Sequence, residues 1–266
     1  MLRSVRLFLG LAFFCGAAAP VAAAERGAET VVLYGLPELC RGTVASVDDG
    51  ATLILSDGTG VRLAGIEPIL AQPNGSTRWE ESARSLLETL VLGRTVSLRG
   101  PPAPADRYGR VTGQLIRDDG LWIEGALLAA GASRVQPPAP GLAAALLWYE
   151  TGARRRRLGL WRSPLYAVRT PDQLARDSGS FVVIDTRVAH AELRNGVVWL
   201  DLGSNAAARL DRPARHLFAA AGLDPLTLAG AHLRLRGWIR WQGRPVLDLA
   251  YPEAVELLAR HRRPPP

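Results

Sequence analysis

The sequence predicts a mainly β, α+β protein built from two small barrels with packing helices, and three observations carry that expectation. Short runs rich in Val, Leu and Ile are punctuated by the turn pairs Asp49-Gly50 and Asp57-Gly58. The segment order β-β-β-α-β-β is read once in the first half and again in the second. Apolar residues make up 48% of a 266-residue chain, enough for two separate cores.

The chain opens MLRSVRLFLGLAFFCGAAAPVAAAERG. Arg3 and Arg6 form a positive start, Leu7 to Ala19 an apolar stretch, and Ala22 to Ala24 a small-residue cleavage site, so residues 1–24 are expected to be a signal peptide. The apolar stretch is shorter than the ~20 residues a membrane span needs. Phe14 before Cys15 is too bulky for a lipoprotein site. The expected destination is the periplasm or the exterior, with no span left after cleavage. Cys15 leaves with the signal, so Cys40 has no partner and reads as a small buried apolar residue. The formal charge is +7, and all 32 basic side chains are arginines. Cleavage lowers the charge to about +5. That balance reads either as codon bias in a GC-rich genome or as suited to nucleic acid or another polyanion, and says nothing about fold.

The first unit is expected over 31–163. RGTVASV, TLILSD and VRLAGI read as three strands. STRWEESARSLLETLVLG reads as a helix, with Thr77 and Glu80 at capping-box spacing. Trp79, Ala83, Leu86, Leu87, Leu90 and Val91 share one face, and Gly93 ends it. RTVSLRG and RVTGQLI supply two more strands, which is the order of an OB-type five-stranded barrel. LWIEGALLAAGASRV and GLAAALLWYETGARRRRLGLW are helical, with Ala145, Trp148, Tyr149 and Gly152 as the buried stripe of the second. Its Arg154 to Arg157 run reads as a solvated helix end or a phosphate-contacting patch. Residues 164–178 read as a linker. A second OB-like β-barrel is expected over 179–259, its helix capped by Asp211 and ended by Gly222. Residues 260–266 read as a tail.

Four motifs in order carry a resemblance. VDDGAT at 47–52, VRLAGIE at 61–67, DRYGR at 106–110 and GLW ending at Trp161 resemble the signature segments of the staphylococcal-nuclease-like (thermonuclease) family. The resemblance spans roughly Gly42 to Trp161. It implies an OB barrel that cleaves DNA and RNA phosphodiesters with calcium. It also implies two metal-binding aspartates, a glutamate that activates water, and two arginines that grip phosphate. Carried over by position, Arg62 and Arg110 are the two phosphate-gripping residues. Glu67 stands at one metal-ligand position, and Asp49 supports the site. Ala51 stands at the other metal-ligand position and Leu70 at the catalytic glutamate. Tyr108 would flank a bound nucleotide.

Calcium prefers six to eight oxygen ligands, and a general base is worth about 10²–10⁴ in rate. With hydrocarbon at 51 and 70, the expectation is a phosphate-binding homologue that needs no cofactor, Ca²⁺ entering only if the site still works. An altered-site phosphodiesterase and an envelope protein-interaction module are the alternatives. Whether the chain is an enzyme stays open at this point. In the second unit, Trp199, Arg236 and Trp238 are candidate nucleic-acid contacts, aromatics stacking bases and arginines holding phosphates. The four histidines are scattered, and no nucleophile elbow, Walker loop or Cys-x-x-Cys motif occurs.

Overall fold

The computed structural model describes residues 32–69 and 77–259. The expected signal peptide, Leu70 and the 260–266 tail lie outside them. The first unit follows the anticipated order: β1 (Glu38–Asp49), β2 (Thr52–Leu55), β3 (Gly60–Leu63), α1 (Arg78–Val91), β4 (Thr95–Arg99) and β5 (Val111–Arg117). The strands close into a barrel in the order β1-β2-β3-β5-β4. β1 is long enough to pair β4 with its first half and β2 with its second, and register shifts near Ser46 and Asp49 bend it between the two. Val44, Val47, Leu53, Leu55, Val61, Leu63, Val96, Leu98 and Leu115 fill the interior.

α1 buries Ala83, Leu87 and Val91, one side of the expected face. Its capping box does not form: Thr77 makes no cap bond and instead donates to Glu81 Oε1 at 2.6 Å. The next helices are α2 (Ile123–Ala130) and α3 (Ala143–Arg155). In α3 the buried positions are Leu146, Glu150 and Ala153, and Trp148 is exposed. The stripe expected at Ala145, Trp148, Tyr149 and Gly152 is therefore rotated. An acid at its centre hid the true stripe, because beside Arg154 one turn on, Glu150 is paired in the interior by Val135 N and Arg236 from farther along the chain.

The second unit comprises β6 (Phe181–Arg187), β7 (His190–Arg194), β8 (Val197–Gly203), β9 (Ala206–Leu210), α4 (Arg212–Ala220), β10 (His232–Trp241), β11 (Pro245–Asp248) and β12 (Val255–Ala259). They form one seven-stranded sheet, ordered β12-β10-β11-β9-β8-β7, with β6 on the other edge of β10. The chain turns at Val188 and Ala189 between β6 and β7. The sheet curls around Ile184, Leu200, Leu210, Phe218, Leu233, Leu235 and Leu247. Asp211 caps α4 as expected, accepting from Ala214 N at 3.0 Å.

The segment expected as a linker is built into the seam between the units. Tyr166 is buried there, Leu174 is buried in the core of the second unit, and Arg169 binds Asp177 and two carbonyls. Ile69, Ala153, Leu160, Trp161, Tyr166 and Val183 form a third apolar cluster joining both units. Beside it, β10 sends Arg236 into the first unit. Its guanidinium is fully buried, donating to both oxygens of Glu150 (3.0 and 3.2 Å), to Val135 O (3.2 Å) and to Glu256. Burial pushes the Glu150 carboxyl up, but Arg236, the Val135 amide and Arg154 outweigh it and hold the group below its ordinary range.

Arg236→Ala leaves Glu150 buried with too little opposing charge, and the expected loss is about 3–5 kcal/mol, read from urea denaturation with an unchanged slope. Because the folded pKa of Glu150 is depressed, this stabilisation is present above its unfolded value and fades as pH falls. The gap between wild type and variant should narrow in acid.

Candidate phosphate-binding site

Two arginines converge at the mouth of the barrel. Arg62 lies on β3, opposite Thr52 of β2 and beside Thr112 of the parallel β5. Its Nη1 donates to Ala51 O at 3.0 Å, which aims the guanidinium across the β1–β2 turn. That turn is tight: Asp49 Oδ1 accepts from Ala51 N at 2.7 Å. A Cβ on Gly50 would lie 2.7 Å from the Ala83 Cβ, so glycine lets α1 pack against the turn.

Arg110 is set by the loop before β5. Asp106 Oδ1 accepts from the amides of Tyr108 and Arg110, and its Oδ2 accepts from Arg110 Nε at 2.8 Å. The Arg110 side chain holds the Asp106 carboxyl down to about 2. Arg110 Nη1 also donates to Thr52 Oγ1 at 3.2 Å. Tyr108 is 65% exposed, with the Arg107 and Arg110 guanidiniums 4.7 and 4.9 Å from its ring centre. The Asp106–Arg110 spacing was visible in DRYGR; Thr52 as the third partner was not.

Arg62 and Arg110 are close enough to repel. The Arg62 pKa is lowered first by burial, and the Arg110 charge adds to that, opposed by Asp49, Asp106 and Glu124. Glu124 lies behind Arg62, fully buried, both oxygens 3.1 Å from Leu115 N. Burial pushes its carboxyl up to about 8. Nothing in LWIEGALL signalled this acid as part of the site.

The acids that calcium would need are occupied or missing. Ala51 is fully buried and offers only a carbonyl, which already accepts from Arg62. Glu67 is a correction to the sequence reading. Its two oxygens accept from Arg134 Nε at 2.6 Å and Nη2 at 2.9 Å. Burial pushes the Glu67 carboxyl up, with Arg134 pulling against it. Arg134 is fixed in turn by Phe181 O at 3.0 Å and by the rings of Tyr166 and Phe181, both about 5 Å away. Among the described residues no three His, Cys, Asp or Glu side chains gather as a metal-binding group. The donor set does not fit calcium, and Asp49 alone, with one oxygen committed to the turn, makes no site.

Arg236 is the second correction. It is buried at the seam and cannot touch nucleic acid. Trp199 is half-buried with Arg244 over its ring, and Trp238 is 42% exposed. In the RRRR run, Arg154 pairs with Glu150 at 3.0 Å, and Arg155 to Arg157 are exposed.

A closed five-stranded barrel bearing paired arginines at one mouth defines a nuclease-type OB domain. A family model described as "Staphylococcal nuclease homologue" matches residues 60–163. Two relatives, each described as an "Uncharacterized endonuclease", come from Escherichia coli and Escherichia coli O157:H7. Each is 31% identical over 142 residues, covering 48% of this chain and 84% of the relative. The chain belongs to the staphylococcal nuclease-like family. The matched residues of the family model begin at Gly60, after the turn that carries Asp49 and Ala51.

A folded-state pKa raised above the unfolded one contributes stability that is full below the unfolded value and lost as pH rises through about 8. Urea denaturation across pH 4.5–9 should show wild type losing ground steadily to Glu124→Gln.

Proposed function

We propose that this nuclease homologue is an exported protein that binds nucleic acid, or a similar phosphate-bearing polyanion, through Arg62 and Arg110, without cleaving it by a calcium mechanism. The observation that carries the reading is geometric: Arg62 and Arg110 meet at Thr52, each held by a local acceptor, and among the described residues no group of three His, Cys, Asp or Glu side chains gathers to hold a metal. Arginine forks match phosphate oxygens in geometry as well as charge. Asp106 and Ala51 O hold both forks in place beforehand, so little side-chain entropy is lost on binding. The arginine-only basicity supports a polyanion, and Arg3, Arg6 and the apolar run after them support export.

The description of the two relatives as endonucleases favours a second reading, a phosphodiesterase with an altered site. One experiment separates the two. Wild-type protein is incubated with labelled single-stranded DNA and RNA, with calcium, manganese or chelator. The expected result is binding without cleavage. Cleavage that persists through repurification and disappears in Arg62→Lys, which keeps charge but loses the fork, would overturn the binding-only reading.

Binding itself should be salt-dependent. For single strands each phosphate contact adds about 0.7 to the slope of log K against log salt. Arg110→Ala should flatten the slope by about that amount and weaken binding about tenfold at low salt, whatever the sequence of the strand.

A further inference from the structure

We propose that the second unit carries its own binding surface for single-stranded nucleic acid, a shelf of tryptophans and arginines on the outer face of its sheet. This rests on the phosphate-binding reading of the first unit but uses different residues.

The sheet register builds the shelf. Val198, Leu200 and Leu202 of β8 face the core, so Trp199 faces out. Trp199 pairs with Arg209 of β9, and Arg209 pairs with Asp248 of β11. On β10, Leu233, Leu235 and Ile239 face the core, which places Trp238 and Arg240 outward. The span from β8 to β10 crosses three strand gaps of about 4.8 Å, roughly 14 Å in all. That matches about four bases at the stacked spacing of ~3.4 Å.

The chemistry suits an unpaired strand. Arg209 Nε lies 2.5 Å and Arg240 Nε 2.7 Å from the two oxygens of Asp248, so one carboxylate spaces two cations. Arg240 keeps 64% of its side chain exposed despite that pair. The turn between β10 and β11, tightened at Gly243 (φ +70°), brings the Arg244 guanidinium to 5.6 Å from the Trp199 ring centre. The three arginines exceed the one acid among them by two charges. Glu192, opposite Trp199 on β7, is neutralised by Arg194 at 2.5 Å. Trp238 is 42% exposed and held edge-on by Phe181, ring centres 5.9 Å apart. A pinned, exposed indole beside arginines is a platform on which bases stack and phosphates are held.

The shelf begins where the seam ends. Phe181, which props Trp238, also lies against Arg134, and Arg134 holds Glu67 on the segment that follows β3. The half of the same sheet face that carries Arg236 and Val183 is docked against the first unit. In the other half Arg240 is exposed and Trp199 and Arg209 are half-buried.

The test compares full-length wild type with Trp238→Ala, an exposed position, by fluorescence anisotropy. The probes are an 18-nucleotide oligo(dT), the same backbone with abasic sugars, an 18-base-pair duplex and a dinucleotide. Base stacking is worth about 1–3 kcal/mol per base, so the variant should bind oligo(dT) about 5- to 100-fold more weakly. Its binding to the abasic strand and the dinucleotide should change less than threefold, and Trp238→Phe should restore most of the affinity. Equal losses on the abasic strand, wild-type preference for the duplex, or no loss on oligo(dT) would each overturn the shelf. If Arg110→Ala weakens every probe while the shelf variant binds normally, the shelf fails and the arginine clamp stands. If oligo(dT) is bound by wild type and weakened by the shelf variant alone, the clamp fails and the shelf stands. If wild type binds no probe at low salt, both are lost.

Discussion

Arg236 is the residue whose burial organises the molecule. A guanidinium taken out of water costs several kcal/mol unless its charge and its donors are matched. Here the charge and the terminal nitrogens are matched from both units at once, by Glu150 and the Val135 carbonyl on one side and Glu256 on the other, while Nε is buried without a partner. Neither unit alone satisfies this group. Glu150 takes Arg236 from β10 beside Arg154 and the Val135 amide of its own unit. Tyr166 sets the connecting segment into the seam cluster, and Leu174 anchors it in the second core.

Arg134 makes the second cross-unit tie, and it bears on chemistry. Its fork closes on Glu67, and its position is fixed by the Phe181 carbonyl and two rings. Glu67 follows Arg62 on the segment that leaves β3, so the seam takes up an acid that lies close in sequence to the barrel mouth. At the mouth itself Arg62 and Arg110 stand beside Asp49 and Asp106, two cations with two acids.

The barrel was legible because its signals are local. Strand alternation, Asp-Gly turns, the Gly93 stop and the Asp211 cap each depend on neighbours a few residues away. Arg62 and Arg110 were legible because two motifs fixed their register against the strands. What could not be read was every pairing that depends on distance along the chain. Glu67 and Arg134 are 67 residues apart, and Glu150 and Arg236 are 86 apart. Sequence patterning treats a charged residue as solvent-facing by default, so it rotated the α3 stripe away from Glu150 and left Arg236 on an open face. Alternation did place Arg236 and Trp238 on the same side of β10. It could not show that this side is covered at one end and bare at the other.

That division of one sheet face explains why the second unit has the composition it does. Toward the seam the outward positions of β10 and β6 are Arg236 and Val183, suited to a dry junction with paired charges. Past Gly237 the same strand carries Trp238 and Arg240, large side chains that stay wet. Exposed indoles on a sheet invite edge and face aggregation unless charge surrounds them. Here arginines border them, with Asp248 spacing Arg209 from Arg240 so that the cations do not scatter. A surface held this way is ordered before any partner arrives, which lowers the entropy cost of binding a flexible strand. The barrel mouth is pre-set in the same manner, through Asp106 and the Ala51 carbonyl. Both units thus hold arginine forks in fixed geometry by local acceptors, Asp106, Thr52 and Ala51 O in the first and Asp248 in the second.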